Sequence, residues 1–235
     1  MNKYSKEWFI KYIDDFEHLY FQEIKDISVD GQKVIKNLGI KANNNVSREY
    51  EENIIEKEYL DKGIVNDIVV AWKAGRLEKK GDDYIIQMKD GNYLNGYGRP
   101  IKASELNEYL NRIQTKDDDS TNEEDFEKEY KKYIEEAGHV PNNFGAVYII
   151  NLMYFKSSRK WPIYDKFAHK ALKAILMEKS PGEIWIGDAP LKGEQAKVTN
   201  MYLEYCWLIT TLFGGKEIER KIDRALWVYG HATEK

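Results

Sequence analysis

Apolar side chains recur at helical spacing through most of this chain and change to strand-like runs once. Phe9, Tyr12, Ile13, Phe16, Leu19, Tyr20 and Ile24 fall on one helix face and predict a helix from about Ser5 to Lys25. Gln32 to Leu38 reads as a short second helix. Glu49 to Leu60 is charged, with Tyr50, Ile54, Ile55 and Tyr59 as anchors, and reads as a surface helix. Ile64, Ile68, Val69 and Trp72 give another, ended by Gly75. The pattern then shortens. Leu77, Tyr84 to Met88, Tyr93 and Leu94 are extended runs punctuated by Gly81-Asp82 and Asp90-Gly91, and an Asp-Gly pair is a strong hairpin signal. A small antiparallel sheet of two or three strands is expected over 76–98.

Helical spacing returns with Leu106, Tyr109, Leu110 and Ile113, and again with Phe126, Tyr130, Tyr133 and Ile134 after a capping box at Thr121–Glu124. Phe144 to Phe155 is apolar almost all round, which predicts a helix buried at the centre of its domain. Phe167 to Met177 makes the next helix. Ser180 to Gly193 carries five glycines and prolines and reads as a long loop. Val198 to Leu212 is helical up to Gly214-Gly215, and Ile218 to Tyr229 up to Gly230. No internal repeat is present. The expected fold is mostly α: a helical bundle with one small antiparallel β insertion. Eight acids against two lysines over Lys116–Glu129 suggest a solvated linker at 116–120. It would divide an N-terminal helical region with the sheet (1–115) from a second helical region (121–235).

Composition narrows the partners. The chain has 235 residues, enough for one large or two small cores, with 42% hydrophobic and 32% charged residues. Its net charge of −4 argues against nonspecific coating of nucleic acid, so any DNA contact must be local. Cys206 is the single cysteine, so no intrachain disulfide can form and a reducing compartment fits. The first residues carry no apolar signal core, and Phe144–Phe155 is too short to span a bilayer. A cytoplasmic protein without a membrane partner is expected.

One local charge excess stands out. From Lys156 to Lys173, six cations (Lys156, Arg159, Lys160, Lys166, Lys170, Lys173) face one acid, Asp165. Lys166, Lys170 and Lys173 are spaced by four and three and share a helix face that could follow a phosphate backbone. Pro162 holds the chain extended before Asp165, which is placed to cap the next helix. A carboxylate in that position can also stabilise positive charge on a sugar ring or orient a water. Trp161 and Tyr164, with Tyr154 and Trp207, are candidate base-stacking walls, and the same rings serve equally as core.

The run from the apolar helix through Trp161-Pro162-Ile163-Tyr164-Asp165-Lys166-Phe167-Ala168-His169-Lys170-Ala171-Leu172 resembles the helix-hairpin-helix DNA glycosylase superfamily, including its archaeal 8-oxoguanine branch. Ile222 to Gly230 resembles the ending of bacterial relatives of that fold. The resemblance spans about 138–230. It implies a hairpin at His139–Gly145 that contacts phosphate through Asn142, Asn143 and Gly145, and an essential carboxylate at Asp165. The family's hairpin has two turn glycines where this chain has Gly145 alone, with Asn142 and Asn143 before it. Asparagine tolerates left-handed backbone, so a turn is still expected. No lysine lies between Phe144 and Tyr148 to form a Schiff base, so strand cleavage by β-elimination is not expected. His18, His139, His169 and His231 show no metal-ligand spacing; His169 is placed to meet Asp165 across one helix turn. No cofactor motif is present, and Gly96-Tyr97-Gly98 is too short a glycine signal for phosphate binding. The readings are a monofunctional N-glycosylase, a binding module of the same fold without chemistry, and a protein-interaction module whose lysines meet an acidic partner.

Overall fold

Helices α1 (Lys6–Lys11) and α2 (Ile13–Leu19) take up the first apolar stripe. The computed structural model describes residues 2–24, 27–29, 32–35, 40–41, 46–115, 125–157, 159–215 and 217–231, with side chains outside 23–45 and position 136. The single helix expected over Ser5–Lys25 is broken at Tyr12, where φ −111° and ψ 15° leave the helical region. Ser5 caps α1 by accepting from the Trp8 N–H. Gln32–Ile35, expected as helix, is a strand. This β3 pairs antiparallel with β2 (Ile27–Val29), and β1 (Glu23–Ile24) pairs with β4 (Ile40–Lys41). The β-branched Val34-Ile35 outweighs the helical reading; residues 36–38 of the expected helix lie outside the described residues.

The charged stretch after residue 48 winds more widely than an α-helix. Helix α3 (Arg48–Tyr50) runs into π-helical turns over Glu51–Leu60, with bonds such as Asp61 N–H to the Glu56 carbonyl at 2.8 Å. It is more than a surface helix, because Ile55 and Leu60 are buried and the buried Glu51 carboxylate accepts from Trp72 Nε1 at 3.1 Å. Helix α4 (Asp67–Ala74) starts on an Asn66 cap and stops at Gly75 with φ +67°. Strands β5 (Leu77–Lys80) and β6 (Asp83–Ile86) form one hairpin through Gly81-Asp82. Strands β7 (Met88–Lys89), β8 (Asn92–Leu94) and β9 (Pro100–Ile101) form a second small sheet. Its first turn is Asp90-Gly91, with φ +50° and +74°, as the hairpin signal requires.

Helix α5 (Ala103–Thr115) buries Leu106, Tyr109, Leu110 and Ile113. Helix α6 (Phe126–Lys131) is capped by Asp125 and continues into π-helical Lys132–Glu136. The Thr121 capping box and the linker at 116–120 lie outside the described residues. Helix α7 (Ala146–Lys156) is buried from Ile149 through Phe155, as its all-round apolar pattern demands. Helices α8 (Lys166–Met177), α9 (Gln195–Phe213) and α10 (Arg220–Gly230) follow. The whole is mostly α with small antiparallel sheets. No helix among the described residues is long and apolar enough to cross a membrane.

These elements sort into two compact units that do not follow chain order. Unit 1 takes 1–43, 164–188 and 204–235; unit 2 takes 44–163 and 189–203. In unit 2, Trp72 meets Phe155 and Tyr109 meets Phe144 edge-on, at centroid separations of 5.8 and 5.7 Å. In unit 1, Phe9 and Phe16 stack at 5.9 Å and both touch Tyr229 of α10. Arg224 of α10 pairs with Glu17 of α2 at 3.3 Å, both buried, with its guanidinium 5.0 Å above the Phe21 ring. Burying such a pair is tolerable only because each charge has its partner.

Gly230 closes α10 against α8. A Cβ there would overlap the Phe167 carbonyl oxygen and lie 2.5 Å from its carbon, so only glycine lets the two backbones meet. Gly230 is the last residue of α10, as expected, with His231 as the cap, and it has this packing role besides. Gly230→Ala in a helix would ordinarily gain about 1 kcal/mol. Here backbone overlap costs about 3 kcal/mol or more, so urea unfolding should show a net loss of about 2 kcal/mol or more. A stabilised variant would refute the contact.

Candidate functional site

Asp165 begins α8 in extended conformation, φ −138° and ψ 136°, as Pro162 upstream favours. Its Oδ1 accepts from the Phe167 N–H at 2.8 Å, and the residue is half-buried. The cap satisfies one orphan donor of the first turn, and the helix dipole favours the negative charge. The carboxylate is therefore held in a fixed place without being sealed off.

The lysine row falls on one face as spaced, but acids from distant parts of the chain answer it. Lys166 Nζ lies 3.2 Å from Asp188, and Lys173 Nζ lies 2.6 Å from Glu204. Lys170 makes no ion pair among the described residues; burial and the neighbouring Lys166 lower its pKa. In unit 1, Lys166, Lys170 and Lys173 thus stand beside Asp165, Asp188 and Glu204, and the local excess read from sequence is reduced. In unit 2, Arg159 pairs with Asp61 at 2.8 Å, Lys156 donates to the Gln114 carbonyl at 3.1 Å, and Lys160 sits 5.7 Å above the Trp161 ring.

The rings proposed for stacking separate by burial. Trp161 packs in unit 2 on Phe126, 5.7 Å away, and is buried; Tyr164 and Tyr154 are buried too. Trp207 alone of the four is exposed. Tyr164 belongs to a buried polar chain in unit 1. Its hydroxyl is 3.3 Å from His169 Nδ1, and His169 Nε2 lies 3.3 Å from Glu204 without hydrogen-bond alignment. Burial pushes the His169 pKa down to about 4, against the pull of Glu204. The histidine whose charge Asp165 influences is His231 rather than His169. His231 stacks on Phe167 with centroids 3.4 Å apart and donates Nδ1–H to the Trp227 carbonyl at 2.7 Å. Its burial lowers the pKa to about 4, with Asp165 pulling the other way.

In unit 2 the chain turns at Asn142-Asn143, as expected. Asn143 takes φ +63°, as its tolerance of left-handed backbone allows, and Gly145 caps α7 without a side chain. Asn142 and Asn143 are both exposed. Asn143 is also structural: its Nδ2 donates to the Pro100 carbonyl at 2.8 Å, and its carbonyl accepts from Asn95 Nδ2 at 3.2 Å. The turn is thereby joined to the Asn95–Pro100 loop, where the sequence shows only a short glycine signal. Its signal was Asn95 ahead of two glycines, a side chain able to bond its own loop. His139 is exposed, 4.0 Å from Glu105. No three His, Cys, Asp or Glu side chains gather as a metal site among the described residues.

No protein family matches this chain, and neither a curated protein nor a solved structure is significantly similar to it.

A histidine held below its ordinary pKa by burial binds its proton more readily once unfolded. Stability is therefore full above about pH 6.5 and declines as the pH drops toward 4. Between pH 6.5 and 5, His231 should remove about 1–2 kcal/mol from the unfolding free energy. Urea melts across that range test this, with His231→Gln reducing the slope and His169, lowered to about 4 as well, supplying the remainder. Equal slopes in parent and variant would exclude a buried neutral imidazole.

Proposed function

We propose that the chain binds nucleic acid along the outer face of α8, as a module whose residues 138–230 have a glycosylase-like helical architecture. The observation that carries this reading is the row of Lys166, Lys170 and Lys173 over weak counter-ions. The side chain of Asp188 is 97% exposed and that of Glu204 43%. Exposed ion pairs contribute about 0–1 kcal/mol each, so a phosphate can displace either carboxylate at little cost. Lys170 needs no displacement. Backbone contacts of this kind are sequence-blind and salt-labile, which suits a local cationic row on a chain of net charge −4.

A second reading adds chemistry, favoured by the half-buried Asp165 held at the start of the same helix. A fixed carboxylate beside a bound nucleotide can stabilise an oxocarbenium-like sugar or orient the water that attacks it. The reaction would be hydrolysis of an N-glycosidic bond without strand cleavage, given the missing lysine after the hairpin.

Anisotropy titration of a labelled duplex should give a log Kd against log salt slope of about 2.7 for three phosphate contacts. The triple variant Lys166→Ala, Lys170→Ala, Lys173→Ala should lose most of that slope. Failure of any duplex or single strand to bind at low salt would discard the reading in favour of an acidic protein partner. For the chemistry, Asp165→Asn retains a helix cap and should abolish base release while keeping affinity. Turnover equal to the parent's removes Asp165 from the reaction, and no release by the parent leaves a binding module.

A further inference from the structure

Unit 2 carries a dense set of hydrogen bonds around five residues, Asn95–Arg99. The buried Asn95 carboxamide accepts from the Tyr97 and Arg99 N–H groups at 3.0 and 2.9 Å and donates to the Asn143 carbonyl. Tyr148 Oη accepts from the Gly96 N–H at 2.7 Å. The Arg76 guanidinium donates to the carbonyls of Asn95 and Gly96 at 3.1 and 3.3 Å. The Asn95 N–H donates to the Arg99 carbonyl at 3.0 Å, and Gly98 turns the chain at φ +74°.

All these bonds hold the backbone, and none holds the ring at the loop's tip. Tyr97 is 86% exposed. Ordering a loop costs about 1–2 kcal/mol per residue in backbone entropy, and an aromatic ring left in water returns none of it by burial. What the arrangement provides is a fixed backbone beneath the ring, which lowers the entropy lost when the ring stacks on a ligand. Arg99, two residues on, is exposed. Asn142, adjacent to the Asn143 that anchors the loop, adds an exposed carboxamide.

We propose that Tyr97 and Arg99 form a site for an unstacked nucleobase and its neighbouring phosphate, and so for single-stranded nucleic acid. A flat ring takes any base by its face, and the guanidinium takes the anion beside it. Bases within a duplex are stacked on each other and cannot reach a lone ring. The inference rests on the nucleic-acid reading above and narrows it to a strand type, using residues of the other unit.

The test is anisotropy titration of the full chain with a short labelled oligothymidylate, its matching duplex and thymidine monophosphate as competitor. Tyr97→Ala should weaken single-strand binding about tenfold or more, while Tyr97→Phe stays close to the parent. Arg99→Ala should lower the single-strand salt slope by about 0.7. Duplex binding through Lys166, Lys170 and Lys173 should be the same in all three variants. Duplex binding that persists beside single-strand binding unaffected by Tyr97→Ala overturns this site and leaves the α8 reading intact. Absence of binding to both strand forms removes the two together. Competition by the mononucleotide as strong as by unlabelled oligonucleotide assigns a nucleotide site and overturns the strand assignment.

Discussion

The backbone contact between Gly230 and Phe167 is the constraint on which unit 1 depends. It draws α10 onto the first turn of α8 more closely than side-chain packing permits. Everything near Asp165 follows from that approach. His231, the next residue, lands flat on the Phe167 ring, and the imidazole is dried enough to stay neutral at physiological pH. The Phe167 N–H is free to bond Asp165 because first-turn donors have no partner within the helix. A glycine that reads as a helix terminator therefore works as a spacer of zero thickness.

Charge shows the reverse relation between chain and fold. Six cations against one acid in a single stretch reads as a basic surface, but pairing happens through space. Asp61, Asp188 and Glu204, each from another segment, answer Arg159, Lys166 and Lys173. Asp188 is the most exposed of these counter-ions, its side chain 97% in water. A counter-ion in water competes poorly with a polyanion that releases its own condensed ions on binding.

Much of the fold was legible where one signal dominated its window. The all-round apolar run of α7, the Asp90-Gly91 turn and the Gly75 and Gly214 helix stops each needed only local physics. The misses have specific causes. The break at Tyr12 and the π-helical turns of Glu51–Leu60 keep apolar residues at nearly helical intervals, so periodicity does not register them. The β2–β3 pairing runs against the helical reading of Gln32–Leu38, because β-branched Val34-Ile35 suits a strand and so short an apolar run has no distinct period. At the site, the Asp165 cap and the lysine face could be read from spacing alone. That His231 would stand near Asp165, 66 positions along the chain, could not, because only tertiary packing brings them together.

Unit 1 draws its core from far-apart stretches, with Phe9 and Phe16 resting on Tyr229 and Glu17 on Arg224. On the ribosome this imposes a wait. At about 5–20 residues per second, some 10–40 s separate synthesis of Phe16 from that of Tyr229. Unit 2, largely one continuous stretch, is nearly all emerged well before then. The early helices must pass that interval with their aromatic faces uncovered, so the nascent chain is most vulnerable to chaperone capture or aggregation at α1 and α2.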